Sequence, residues 1–279
     1  RELLRGKLDW TVVRREVLRH GVAPYFFARL QAIGGGFVPP AETDRMREEY
    51  AANARRSLRM AAVLLRTLDL LESRGIPAIP VKGPALAEAA YGDVALRRFG
   101  DLDILVRKED LPGARDLFAS LGYRLAHPFT PRQERAHLAR AWELTYLSGN
   151  GKPSLDVHWR FTADYMAPFL DEKAAFGRQG RATLLGRPVR SLADEDLLLF
   201  LCVHGTLHLW TALYLVCDAA RLIGSRRGWD WRGLMERAGR CRVWRMLLLG
   251  LALARDLLCV ELPPEVADAA NRDGSVTVL

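Results

Sequence analysis

The chain has 279 residues, 49% of them hydrophobic and 27% charged, enough to build a substantial core in one large domain or in two to three small lobes. Its formal charge of +8 permits a polyanionic partner such as a nucleotide or nucleic acid, but the arginines are spread along the chain, so charge alone assigns none. Four widely spaced cysteines, Cys202, Cys217, Cys241 and Cys259, form no CxxC pair; this argues against a disulfide framework or a zinc site and for buried free thiols of a cytoplasmic protein.

Residue 1 is an arginine rather than a methionine, so native residues ahead of it are expected, and nothing near the start has the pattern of a signal peptide. Over residues 8–31, Trp10, Val13, Val17, Leu18, Tyr25, Phe26 and Leu30 recur at helical spacing, interrupted near His20–Gly21 and Pro24. Gly34 to Gly36 with Pro39–Pro40 form a loop. A second helical stretch runs from Ala41 to Arg74, stopped by Gly75 and Pro77. The pattern then changes to short apolar runs. Ile76 to Gly83 reads as a strand, irregular or at a sheet edge because of Pro77 and Pro80. A helix opens at Pro84, and "DLDILV" is a strand. "KEDLPGARDLFASLG" is a helix closed by Gly122; "YRLAHPF", "WELTYLS" and "SLDVHWRF" are strands; and "RATLLGRPVRSL" is a hairpin.

From Asp194 to about Arg255 the chain is helical, with a break at Gly224 to Trp229. Leu197 to Cys217 holds no Asp, Glu, Lys or Arg and is long enough to span a bilayer. It also contains His204, Gly205, Thr206, His208 and Thr211 and has no companion segment, so a buried helix pair is expected and no membrane partner. The expected architecture is α+β: an N-terminal helical region (1–74), a compact mixed-sheet core (75–192) and a C-terminal helical region (193–279).

The chemistry concentrates in the centre. Asp101 and Asp103 are two apart on a strand, so both carboxylates share one face, where they repel unless a cation lies between them. Ahead of them come Arg97 and Arg98, and earlier Lys82–Gly83 ends a strand and opens a helix, a plausible seat for phosphate with Lys82 as a supporting cation. Asp156 interrupts a later strand and shares its face with His158. Each feature alone is ordinary: a turn, an N-cap, an edge-strand charge. Their combination points to metal-assisted phosphate chemistry.

"VKGPALAEAAYGDVALRRFGDLDILV", then Gly122–Tyr123, then "LDVHW", resembles the nucleotidyltransferase superfamily of DNA polymerase β type, in particular its uncharacterised bacterial branch with a Lys-Gly, Arg and DxD signature. The resemblance is strong over residues 76–160 and looser in the helical tail, where "CVHGTLHLWTALYLVCDAARLI" is similar to that branch's His-x-x-x-His…Asp helices. It implies a nucleotidyltransferase core that moves an NMP from an NTP, ATP among the candidates, to an acceptor with release of pyrophosphate. Asp101, Asp103 and Asp156 would then ligate Mg²⁺ or Mn²⁺, hard ions suited to carboxylate oxygens. Asp156 would also help to take the acceptor's proton. The backbone of Lys82 and Gly83 and the side chain of Arg97 would grip the triphosphate. The superfamily's more usual first motif is Gly-Ser; here Lys82–Gly83 stands in its place, supplying charge without a hydroxyl.

His204 and His208 lie four apart on one helical face, but Gly205 stands where an HExxH zinc motif needs glutamate; they are either core or cleft-lining. Asp218 is expected to be a buried partner of one of them or of an arginine, His158 to lie beside the metals, and Trp159 to face the core. The acceptor, a small molecule, a peptide or protein, or an RNA, is open. So is a member that binds nucleotide or peptide without turnover. There is no P-loop or kinase signature, no RNA-binding cluster with interleaved aromatics, and no DNA partner is expected.

Overall fold

The computed structural model describes residues 4, 6, 8–149, 151–163 and 172–277. Helices α1 (Trp10–Arg19) and α2 (Ala23–Ile33) pack on the long α3 (Pro40–Ser73). Asp9 caps α1 by accepting from the N–H groups of Thr11 and Val12. The centre runs β1 (Ala78–Pro80), α4 (Gly83–Leu86), β2 (Asp101–Val106), α5 (Leu111–Ser120), β3 (Tyr123–Leu125), α6 (Pro131–Arg140), β4 (Glu143–Ser148) and β5 (Ser154–His158). A short α7 (Glu172–Gly177) precedes the β6 (Gly180–Leu184) and β7 (Arg187–Ser191) hairpin. The tail holds α8 (Asp194–Leu207), α9 (Leu213–Ser225), α10 (Trp231–Arg240), α11 (Trp244–Leu258), α12 (Pro264–Arg272) and α13 (Gly274–Thr277). The fold is α+β.

Five strands form a mixed sheet in the order β1-β2-β5-β4-β3, with β1 at an edge where its prolines are tolerated. Only β2 and β5 are parallel; the other neighbours are antiparallel. Alternation along the strands makes two different faces. Leu102, Ile104, Val106, Leu144, Tyr146, Leu155 and Val157 face one side and pack with Leu64 of α3 and Leu117 and Phe118 of α5. On the other side Ile79 and Leu105 join the core of the C-terminal helices, among them Leu198 and Phe200. The sheet is therefore clamped between two helical layers, and its second face turns polar at the end where the aspartates lie.

The structure departs from the sequence reading in several places, the strands Ile76 to Gly83 and "SLDVHWRF" being shorter, at Ala78–Pro80 and Ser154–His158. "YRLAHPF" is strand only over Tyr123–Leu125. Helix α6 was not anticipated: its run has few apolar residues, so no helical period shows. Its signal was the cap, where Thr130 and Gln133 form a capping box with Pro131 in the first turn. The helical tail breaks not only after α9 but also at His208 to Ala212 and at Cys241 to Val243. Cys202, Cys217 and Cys241 are buried, but Cys259 is exposed, in the left-handed conformation that ends α11. The uncharged stretch is divided between α8 and α9, and no helix among the described residues is long and apolar enough to cross a membrane.

The first of those breaks is fixed by close packing. Leu209 and Trp210 both have positive φ, at 52° and 51°, which aims the Trp210 ring at α8 and α11. A Cβ on Gly205 would lie 2.5 Å from that ring, and one on Gly250 would lie 2.6 Å from Cys202 Sγ. Alanine for a mid-helix glycine usually stabilises by about 1 kcal/mol. Gly205→Ala should instead cost about 1–3 kcal/mol through overpacking, read as a lower urea midpoint at unchanged m-value.

Candidate active site

The parallel register sets Asp101 opposite Ser154, Asp103 opposite Asp156, and Leu105 opposite His158. The antiparallel β4 sets Thr145 opposite Asp156 and Glu143 opposite His158. Residues paired across strands share a face. One face of the sheet thus carries three aspartates, a glutamate and a histidine in adjoining rows, at the floor of a cleft of about 640 Å³. Its opposite walls include Leu18 and Arg19 from α1, Phe200 and His204 from α8, His208 just after α8, and Tyr214 from α9.

Asp103 is the electrostatic centre. It is 3% exposed, and its Oδ1 lies 2.7 Å from Lys82 Nζ and 3.1 Å from His158 Nε2. Burial alone would raise its carboxyl, but the Lys82 ammonium and the His158 ring outweigh it and hold the group well below the usual carboxylate range. Burial likewise works against the charge on Lys82, and Asp103 outweighs it, leaving the ammonium raised. The other ring nitrogen of His158, Nδ1, stands 3.3 Å from Glu143 Oε2. Asp101 and Asp156 behave oppositely: burial, and then the negative charge of their neighbours, raises both carboxyls. For Asp156 a hydrogen bond with Thr145 partly opposes the rise, while its Oδ1 is buried without a hydrogen-bond partner.

Of the residues singled out in the sequence, Lys82, Arg97, Asp101, Asp103, Asp156, His158, His204 and His208 all line this cleft. Gly83 does not. It is buried at the start of α4 with φ +57°, a conformation that favours glycine. Arg97 is already engaged: its Nε and Nη2 donate to Asp218 Oδ1 and Oδ2, both at 2.8 Å, and Tyr91 Oη donates to Asp218 Oδ1 at 2.8 Å. Trp159 packs in the core behind the opposite face. His204 stacks on Phe200 and meets His208 edge to face, with ring centroids 4.4 Å apart. Burial, with Lys82 adding to it, pushes His204 down to about 2.

The donor set suits a hard divalent cation. Asp101, Asp103 and Asp156 offer only carboxylate oxygens in neighbouring positions, and Asp156 Oδ1 has no hydrogen-bond partner. Among the described residues no three His, Cys, Asp or Glu side chains stand close enough to enclose an ion in this arrangement, and Asp103 is met by the Lys82 ammonium instead.

Comparison with known proteins adds the family. Residues 6–259 match the family described as Uncharacterised nucleotidyltransferase. The protein belongs to that family. No curated protein matches this nucleotidyltransferase-family chain. Several solved structures are similar to parts of it, among them the following three. ANT(2'')-Ia in complex with adenylyl-2''-tobramycin is 16% identical, with a TM-score of 0.46 over 65% of this chain and 96% of that one. The lincomycin-bound lincosamide antibiotic adenylyltransferase LnuA is 14% identical, with a TM-score of 0.38 over 58% and 96%. An antigenic nucleotidyltransferase-like protein from Paracoccidioides brasiliensis is 13% identical, with a TM-score of 0.46 over 76% and 92%.

Sequence reasoning did not single out Glu143 or Tyr91. Each has an ordinary local context and becomes a site neighbour only through strand register or helix packing. Asp218 does meet an arginine, as expected, but the identity of that arginine follows from tertiary structure.

Two outcomes follow. Removing one partner of a buried, hydrogen-bonded pair leaves the other uncompensated, so Asp218→Ala or Arg97→Ala should each cost about 3–5 kcal/mol. Chemical denaturation of both single variants and the double variant should show strong non-additivity. His204 is neutral when folded but takes a proton below about pH 6.5 when unfolded. Stability from this group is therefore full above that pH and falls as pH drops, by about 1–2 kcal/mol at pH 5. His204→Phe should flatten the denaturation midpoint between pH 7 and pH 5.

Proposed function

We propose that this nucleotidyltransferase-family protein moves a nucleoside monophosphate from an NTP to an acceptor in a reaction that depends on Mg²⁺ or Mn²⁺. The observation that carries this reading is the pairing of Asp103 with Asp156, with Asp101 two residues away, on the polar floor of the cleft. These three carboxylates would hold the metal. Bound there, divalent ions supply the positive charge that neutralises the attacking group and the departing pyrophosphate.

The chain's own residues do the rest. The acceptor oxygen attacks the α-phosphorus, a bond forms between them, and the bond from that phosphorus to the bridging oxygen of the β-phosphate breaks. The acceptor's proton would pass to the Asp156 carboxylate, the one of the three paired across the strands with Asp103. Lys82, paired with Asp103 at 2.7 Å, would place its positive charge beside the leaving phosphates. The backbone at Lys82 faces the same groups, while Gly83, buried behind it at φ +57°, shapes the turn into α4. Arg97 contributes mainly as a fixed positive charge, because two of its donors belong to Asp218. His158 orients Asp103 and is itself bracketed by Glu143. The acceptor is a small molecule, a peptide or protein, or an RNA.

One feature favours a second reading, nucleotide binding without turnover. The Lys82 ammonium already satisfies Asp103, as a resident cation would in a protein that has given up catalysis. Calorimetric titration of the four NTPs, each with Mg²⁺, separates the readings when paired with pyrophosphate release. Metal-dependent binding of an NTP by the wild type should be lost in Asp101→Asn/Asp103→Asn. Asp103→Asn alone should lower transfer by roughly a thousandfold or more with the fold retained. Full transfer in that variant would overturn the metal assignment, and binding without pyrophosphate release for any NTP would favour the second reading.

A further inference from the structure

Among the described residues, every lysine and arginine lining the cleft but two is paired with a carboxylate. Lys82 is paired with Asp103, Arg97 with Asp218, and Arg19 with Glu16. Arg56, on α3, and Arg98, just after Arg97, also line the cleft, and among the described residues neither forms an ion pair with a carboxylate. Both also line a second cavity of about 430 Å³ between α1, α2 and α3, so they stand at the junction of the two spaces.

The Arg56 side chain is held by a hydrogen bond, and the backbone that leads into Arg98, whose side chain is exposed, is anchored. Asn53, buried one turn before Arg56, donates its Nδ2 to the carbonyls of Ala95 at 2.8 Å and Arg97 at 3.3 Å. Its Oδ1 accepts from Arg56 Nη2 at 3.3 Å. A single amide therefore ties the segment leading into β2 to α3 and holds Arg98 near Arg56. Partial burial, followed by the positive charges of Arg98 and Arg59, works against the charge on Arg56, and Asp101 is the neighbouring group that favours it. Two like charges confined together beside a cleft lower their energy by binding an anion, and guanidinium forks match the oxygens of a phosphate.

We infer that Arg56 and Arg98 form a seat for the β- and γ-phosphates of the NTP, on the Asp101 side of the cleft. This inference rests on the nucleotidyl-transfer reading and names residues that carry the part of the triphosphate load Arg97 cannot, given its two bonds to Asp218. It also orients the substrate. With the terminal phosphates at Asp101 and α3, the acceptor approaches from the Asp156 and β4 side.

The test uses a probe that does not depend on the base: inorganic tripolyphosphate with Mg²⁺, compared with the four NTPs and the matching NMPs. Calorimetry on the wild type, Arg56→Gln/Arg98→Gln and Arg98→Lys is set beside Arg55→Gln, an exposed control on the same helix that does not line the cleft. The double variant should bind tripolyphosphate and NTP about tenfold or more weakly, with NMP within about twofold of wild type. Arg98→Lys should recover part of the loss, and Arg55→Gln should match wild type. Unchanged NTP binding in the double variant overturns the seat and leaves the transfer reading intact. Equal losses for NTP and NMP also overturn it, because the arginines would then act on the nucleoside or on the shape of the cleft. A folded wild type that binds neither tripolyphosphate nor any NTP overturns both readings.

Discussion

The polar floor of the cleft depends on the register of β2 against β5. Because Asp103 pairs with Asp156 and Leu105 with His158, a carboxylate row from one strand meets a carboxylate and an imidazole from the next. A slip of one residue would send Asp156 and His158 to the opposite face, among Leu64, Leu117 and Phe118. The fold resists that slip because the opposite face of both strands is continuously apolar: Leu102, Ile104, Leu155 and Val157 are all fully buried. The core therefore selects the register, and the register assembles the site.

Assembling negative charge at the edge of a core raises the question of which groups remain ionised. Asp103 is the most buried of the three aspartates, yet it is the one held most firmly as a carboxylate, because Lys82 and His158 meet it directly. Asp101 and Asp156 are half-buried without such partners, and their carboxyls rise. Neighbouring aspartates thus take opposite shifts, and proximity to a cation decides between them more than depth does. The same arrangement makes the site receptive to additional positive charge.

The helical layers contribute beyond packing. Asp218 reaches from α9 into the core to hold Arg97, with Tyr91 sharing the carboxylate, and this joins the C-terminal helices to the segment before β2. From the other side Asn53 of α3 takes hold of the same segment through two carbonyls. Residues 95–98 are therefore held between the two layers. Arg97 is turned toward α9, while Arg98 lines the cleft and the neighbouring cavity.

By itself the sequence determined the kind of fold and the identity of the central residues. Alternation in "DLDILV" and "SLDVHW" marks strands with one polar face, glycine and proline punctuate the ends of α3 and α5, and the Lys-Gly, DxD and later Asp pattern marks the candidate site. These signals are legible because they are local, set by the two-residue period of a strand and the backbone limits of glycine and proline. Helix α6 was also encoded locally, in the Thr130–Gln133 cap, but its nearly all-polar face gave periodicity nothing to detect. The exposure of Cys259 and the break around Trp210 depend on how α11 ends and on which ring fills the space over Gly205, neither of which has a sequence period. Tertiary structure alone decided that Arg97 is taken by Asp218, that Glu143 flanks His158, and that Arg56 and Arg98 line one cleft. Those partners lie 15 to 121 residues apart, as do Glu143 and His158 at the short end and Arg97 and Asp218 at the long end. Pairing over such separations is fixed by strand register and helix packing, because a charged side chain carries no local signal of the neighbour that will neutralise it.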